Sequence, residues 1–228
     1  MRKPYIIAID GPAGSGKSTT AAGVAKKLNI VHLDTGAMYR AVTLIALEKG
    51  IGVGETEKLK ALSQIMQVAF RRDADGRQRV FLGARDVSAA IRSEQVTRAV
   101  PEYCKVPDVR ATMVEKQREA ASGTSIVVEG RDIGTVVFPG AEFKFFLTAS
   151  IEERAKRRLK DFERLGEKPG LERIMEEIRE RDRIDGTREI SPLRQAVDAE
   201  AVDTTGMTIQ EQVDFIVNAV EYKLKSKP

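Results

Sequence analysis

Residues Gly11-Pro12-Ala13-Gly14-Ser15-Gly16-Lys17-Ser18, followed by Thr19, carry the spacing G-x-x-x-x-G-K-[ST]. The segment follows a short apolar run, residues 5–9 (YIIAI), bounded by Pro4 and Gly11. A β-branched run of that length reads as a buried strand. Residues 17–28 (KSTTAAGVAKKL) read as a helix, with Val24 and Leu28 four apart. Strand, glycine-rich turn and helix start together make a phosphate cradle. The glycines let the backbone wrap closely, so that successive N–H groups point at phosphate oxygens. The helix that follows turns its positive dipole end to the same anion. Lys17 is spaced to reach the β- and γ-phosphates, and Ser18 to offer a hydroxyl to Mg²⁺.

Composition narrows what such a cradle can belong to. The 228 residues hold 38 Lys+Arg and 34 Asp+Glu, a formal net charge of +4, and are 42% hydrophobic. That excludes a disordered chain, which combines low hydrophobicity with strong net charge. The length suits one large α/β domain, or a core carrying inserted subdomains. Cys104, the single cysteine, has no partner for an internal bridge, which fits a reducing compartment. No apolar run approaches the roughly 20 residues of a membrane helix, and the first apolar stretch ends at Asp10, too early for a secretory signal. A soluble cytoplasmic protein is expected. The sequence pI is near 9.1, but acids and bases are interspersed with no basic block, which argues against a nucleic-acid partner. His32 is the only histidine, so multi-histidine metal sites find little support. His32 reads as a packing residue and Cys104 as a semi-buried neutral thiol.

Further along, residues 37–48 read as a second helix ended by Gly50, and residues 57–69 as a third, with Leu59, Leu62, Ile65 and Met66 at helical spacing. Two β-prone runs then flank Asp75-Gly76, a hairpin signal. Residues 55–95 are accordingly expected to form a small inserted subdomain. Residues 107–121 return to helix, and residues 125–129 and 142–148 read as two more core strands. Ser150-Ile-Glu-Glu153 has the pattern of a capping box and should open a helix. The charged stretch that follows, to residue 188, is broken by Gly166, Pro169 and Gly170 into two helices expected to be mobile and solvated. Thr208-Ile-Gln-Glu211 is a second capping box, opening a terminal helix with Ile209, Val213, Ile216, Val220 and Leu224 on one face. Strands alternating with helices predict an α/β fold, a three-layer parallel sheet with helices on both faces.

The cradle implies a nucleoside triphosphate but not its fate. A switch GTPase usually carries N-K-x-D, which is absent. A motor ATPase usually has a long apolar strand ending in aspartate; Glu129-Gly130-Arg131-Asp132 after SIVV does not match. An arginine-rich lid instead favours a kinase, because phosphoryl transfer depends on positioning and charge stabilisation. Arg154, Arg157 and Arg158 share a helix face at i, i+3 and i+4. Arg181, Asp185 and Arg188 share another, where an aspartate between two arginines would hold their forks for bidentate phosphate contacts. Asp34-Thr35-Gly36-Ala37-Met38-Tyr39-Arg40 and Gly130-Arg131-Asp132-Ile133-Gly134-Thr135 read as further walls of one cleft. A nucleic-acid-binding ATPase and a small-metabolite kinase stand as rival readings.

GPAGSGKST, LDTGAMYRA, VSAAIR, VEGRDIGTVVFP, ERDRIDGTR and SPLRQAVDAEAVDTT together resemble the bacterial-type cytidylate kinases, from residue 5 to about residue 220. The resemblance implies a single P-loop kinase domain over residues 1–228. Within it, residues 35–110 would form the monophosphate-binding region carrying the insert, and residues 150–188 the lid. It implies transfer from ATP to CMP or dCMP with Mg²⁺, and a monomer whose only partners are nucleotides. Gly11, Pro12, Ala13, Gly14, Ser15, Gly16, Lys17, Ser18 and Thr19 would bind ATP, with Ser18 on the metal. Thr35, Arg110, Asp132 and Arg188 would surround the cytosine, and Arg40 and Arg131 would hold the acceptor phosphate. Arg181 and Asp185 would approach the ribose. Lys17, Arg131 and Arg154 or Arg157 would act on the transferring group. Cytosine offers an exocyclic amine that a carboxylate such as Asp132 accepts from, whereas uracil has a carbonyl there. Thr35 and Pro101 each stand where some relatives have serine.

Overall fold

The computed structural model describes residues 3–74, 78–164 and 169–226. The Asp75-Gly76 turn and the breaker Gly166 lie outside the described residues. In chain order the elements are β1 (Ile6–Asp10), α1 (Lys17–Leu28), β2 (Val31–Asp34), α2 (Thr35–Glu48), α3 (Thr56–Ile65), β3 (Val68–Arg72), β4 (Gln78–Leu82), β5 (Arg85–Asp86), α4 (Glu94–Tyr103), α5 (Pro107–Ala120), β6 (Ile126–Gly130), β7 (Phe143–Thr148), α6 (Ile151–Arg164), α7 (Leu171–Thr187), β8 (Glu200–Asp203) and α8 (Ile209–Ser226). A short 3₁₀ turn covers Ala90–Arg92 and a π-type turn covers Ile133–Val137. The chain divides into two compact units, Met1–His32 with Ala121–Pro228, and Leu33–Ala120.

The five-stranded sheet has the order β2-β6-β1-β7-β8, with β1 parallel to both β6 and β7, and β7 parallel to β8. The two central strands β1 and β6 are near-continuous apolar runs, as parallel strands covered on both faces require. Ile7, Ile9, Val127, Phe143, Phe145 and Leu147 meet Ala21 and Val24 of α1 and Val213, Ile216 and Val220 of α8 in one core. Burying each of these phenylalanines stabilises by about 2–3 kcal/mol. The register sets Asp10 beside Gly130, so the carboxyl ends of β1 and β6 open side by side. Those ends release the glycine-rich loop and the Ile133–Val137 turn.

The capping pattern at Thr208 closes in both directions: Thr208 N–H donates to Glu211 Oε2 at 2.7 Å, and Glu211 N–H to Thr208 Oγ1 at 3.2 Å. The one at Ser150 is only half made. Glu153 N–H donates to Ser150 Oγ, but Ser150 N–H goes to Thr205 Oγ1 and the Glu153 carboxylate to Arg157. The α6/α7 hairpin also differs from a solvated pair of helices. Ala155, Ile174, Met175 and Ile178 form a small core of their own, flanked by Leu159, Phe162 and Leu171.

In the second unit α2 starts two residues earlier than its apolar pattern suggests, because Asp34 Oδ1 accepts from Ala37 N–H at 2.9 Å as an N-cap. The expected helix over residues 57–69 ends at Ile65, and β3 begins at Val68. Ile65 is consequently 78% exposed rather than packed, while Leu59, Leu62 and Met66 are buried. β3, β4 and β5 make a separate antiparallel sheet. Helix α4 carries Val96, Val100 and Tyr103 inward, and Pro101 sits inside it. Strands β2 and β8, four residues each, and helix α4 have no counterpart in the sequence reading.

Candidate active site

The loop after β1 is shaped by backbone that only glycine tolerates. Gly11 has φ +149°, and a Cβ there would lie 2.0 Å from the Leu147 carbonyl oxygen. Gly16 has φ +91° and is the N-cap of α1, contributing no side-chain hydrogen bond to that helix start. The first N–H groups of a 12-residue helix therefore face the loop unblocked by a capping side chain. Pro12, Ala13, Gly14 and Ser15 complete the loop. Lys17 is buried, and its Nζ donates to the Pro12 carbonyl at 2.7 Å and lies 3.4 Å from Ser15 Oγ. Ser18 and Thr19 lie exposed on the first turn of α1.

Burial, and then the nearby Arg131 guanidinium, push the Lys17 ammonium down from 10.5 to about 7, against the pull of Glu129, Asp10 and Asp185. Lys17 thus feels a like charge that a bound polyanion would offset. Arg131 Nε donates to Asp185 Oδ2 at 2.9 Å, Arg181 Nε to the same oxygen at 3.2 Å, and Arg188 Nη1 stands 3.7 Å from Asp185 Oδ1. Asp185 is 1% exposed. Burial alone would raise it, but Arg131, Arg181 and Arg188 outweigh that and hold it at about 2. Asp132 is buried next in sequence to Arg131.

The arginines of α6 take different partners from one another. Arg154 is buried, with Nη1 donating to the Ala13 carbonyl of the loop at 3.1 Å and Nε to the Ala149 carbonyl at 3.1 Å. It also pairs with Asp182 of α7 at 2.7 Å, a contact the sequence reading did not contain. Arg157 binds Glu153 and both the hydroxyl and carbonyl oxygens of Thr204, and a Cβ on Gly16 would lie 3.4 Å from its Nη1. Arg158 lies over the Phe162 ring.

Thr35, Arg40 and Arg110 belong to the second unit. Thr35 is the buried first residue of α2, and Arg40 Nη1 donates to Thr97 Oγ1 at 2.9 Å. Arg110 is buried, with its guanidinium 5.3 Å from the Tyr39 ring centre and Nη1 donating to the Cys104 carbonyl at 3.3 Å. Cys104 is buried rather than semi-buried.

One residue set aside on its motif context returns on its geometry. Glu129, at the carboxyl end of β6, accepts from Ser18 Oγ–H at 2.7 Å through Oε2, while its Oε1 faces His32 Nε2 at 3.4 Å. His32 is buried as a packing residue would be, but it also faces this charge. Burial raises Glu129; His32, Lys17 and Ser18 outweigh it and keep the carboxyl below its ordinary range. Ser18 and Glu129 are a hydroxyl and an ionised carboxylate, hard oxygen donors of the kind Mg²⁺ takes. Among the described residues there is no cluster of three or more His, Cys, Asp or Glu able to hold a metal. No described helix is long and apolar enough to cross a membrane.

A parallel sheet that ends in an amide-lined loop, with a buried lysine and a guanidinium cluster beside it, defines a P-loop kinase. The cytidylate kinase family model matches residues 7–222. The cytidylate kinase of Pelotomaculum thermopropionicum is 49% identical over 214 residues, 94% of this chain and 95% of that protein. Those of Bacillus licheniformis and Enterococcus faecalis are 44% and 48% identical, over 98% and 95% of this chain and 99% and 96% of theirs. The chain belongs to the cytidylate kinase family and is an enzyme, a nucleoside monophosphate kinase. Among solved structures, an uncharacterized protein from Eubacterium ventriosum has a TM-score of 0.53 at 14% identity, covering 95% of this chain and 98% of that one, a likeness of fold alone.

Proposed function

We propose that the chain transfers the γ-phosphoryl group of ATP to CMP, and to dCMP, in a direct in-line step without a covalent intermediate. Arg154 carries this reading: its Nη1 donates to the Ala13 carbonyl of the phosphate loop at 3.1 Å, and a guanidinium anchored at that loop beside a buried lysine suits a phosphoryl group in transfer. The acceptor phosphate is already anionic, so no strong general base is needed. The backbone N–H groups of residues 13–19 and the Lys17 ammonium bind the donor phosphates, with Gly11 and Pro12 shaping the loop; Arg131, with Arg154 or Arg157, balances charge on the moving group. Ser18 and Glu129 would hold Mg²⁺, which when bound neutralises charge on the β- and γ-phosphates.

For the acceptor, Arg131, Asp132, Arg181, Asp185 and Arg188 are the groups offered by the first unit, and Thr35, Arg40 and Arg110 those offered by the second. Asp132 accepts from the cytosine amine. Residues 35–110 serve as the monophosphate-binding region with its insert at 55–95, and residues 150–188 as a lid that excludes water. Small nucleotides are the only partners, with the enzyme a cytoplasmic monomer. ADP release measured with CMP, dCMP, UMP, AMP, shikimate or single-stranded RNA tests the reading. Release at low CMP and dCMP supports it. RNA stimulation, or release with shikimate in preference to CMP, overturns it.

A further inference from the structure

Asp10 ends β1 one residue before the phosphate loop, and its carboxylate is bound by backbone N–H groups of the turn after β6. Oδ1 accepts from Ile133 N–H at 2.8 Å and Oδ2 from Gly134 N–H at 2.7 Å, and Asp10 is buried. The Ile133 N–H belongs to the peptide that leaves Asp132. The carbonyl of that same peptide accepts from Val136 N–H at 2.9 Å and Val137 N–H at 3.1 Å. The peptide plane after Asp132 is therefore gripped at both ends, with Asp132 at φ −141° and ψ 25°, outside regular helix or strand geometry. Fixing that plane fixes the Asp132 Cα–C bond, and with Gly130 held in the sheet on the other side it restricts the direction in which the Asp132 side chain leaves the backbone.

Only a carboxylate completes this grip. It accepts two hydrogen bonds side by side, whereas an asparagine would turn an NH₂ donor toward one of the two amides. The arrangement is kept at a cost: burial pushes Asp10 up to about 6, with Asp132 adding to the rise and the two amides resisting it. Gly134 makes room for it, since a Cβ there would lie 3.2 Å from Lys144 Cδ and 3.4 Å from Asp10 Oδ2.

We infer that Asp10 is a positioning residue for acceptor-base recognition, acting through the Asp132–Ile133 peptide. The inference rests on the reading that Asp132 accepts from the cytosine amine. Its measure is the ratio of kcat/KM for CMP to that for UMP. Disturbance of Lys17 or the phosphate loop cancels in that ratio, because both acceptors share one donor site. Asp10→Asn should lower the ratio about tenfold, the effect of one lost hydrogen bond to a charged group. In an Asp132→Ala background the same substitution should leave the ratio where Asp132→Ala alone puts it, because residues acting through one another are not additive. Asp10→Glu, which keeps both acceptor oxygens but moves them by one methylene away from the Ile133 and Gly134 N–H groups, should lower the ratio in the same way and serves where Asp10→Asn fails to fold. A drop in activity equal for CMP and UMP, or an undiminished Asp10→Asn effect in the Asp132→Ala background, overturns the role of Asp10 alone. An unchanged ratio in Asp132→Ala itself overturns the base-reading assignment, and the role of Asp10 with it.

Discussion

Replacing Asp185 with asparagine removes the one carboxylate that three guanidiniums share, while keeping shape and volume. The fall of its pKa from 3.8 to about 2 corresponds to about 2–3 kcal/mol of folding stability at neutral pH. Because the folded-state value is depressed, that contribution is fully present above pH 3.8 and is lost as pH falls through about 2. Near pH 3 about half of it should remain, since the unfolded carboxyl is by then mostly protonated and the folded one is not. The loss at pH 7 should be at least about 2–3 kcal/mol, because Arg131, Arg181 and Arg188 lose the carboxylate that each of them faces. Urea unfolding of wild type and Asp185→Asn at pH 7, 5 and 3 reads the difference. It should be equal at pH 7 and 5 and about 1 kcal/mol smaller at pH 3. A loss that does not change with pH would mean that packing, and not charge, is what Asp185 supplies. No loss at pH 7 would mean that the arginines are held apart by something else.

Lys17→Ala should abolish most turnover while CMP binding, followed by calorimetry, and the melting temperature persist; full activity in that variant contradicts the role given to Lys17. Glu129→Gln keeps the Ser18 contact but removes the negative charge, and should raise the Mg²⁺ concentration needed for half-maximal ATP binding about tenfold; an unchanged Mg²⁺ dependence refutes the metal assignment. A Cβ on Gly23 would meet Val213 Cγ2 at 2.5 Å, and a valine in a helix has little rotamer freedom to yield. Gly23→Ala should therefore lose about 1–2 kcal/mol despite its better helix propensity, and Val213→Ala added to it should recover part of that loss. Purely additive effects in denaturant melts would show that the two helices do not touch there.

What the sequence exposed was local, and what it hid was set by partners distant along the chain. The helix from Lys17 to Leu28 is written in its own residues, and so is the capping pair Thr208 and Glu211, three apart. The matching pattern at Ser150 fails on one side because Thr205, 55 residues away, supplies the hydroxyl that Ser150 N–H takes. Strand β8 has four residues with only Val202 buried, too short and too polar to carry a period; it exists because β7 offers it a ladder. Helix α4 was obscured by Pro101, although Val96, Val100 and Tyr103 keep the helical spacing on either side. The same division holds in the candidate site. Arg181, Asp185 and Arg188 lie within one or two helical turns, so their convergence was legible from spacing. Glu129 ends an apolar strand with glutamate and not the aspartate of a motor ATPase, so its spacing alone does not mark it. Its significance comes from Ser18, 111 residues earlier, and from His32, which reads as one more apolar-face residue until the sheet order sets β2 beside β6. Asp10 shows the limit most sharply. Nothing in IDGPAG distinguishes a carboxylate that serves the phosphate loop from one that binds the turn after β6, and only the pairing of Asp10 with Gly130 turns it toward the peptide after Asp132.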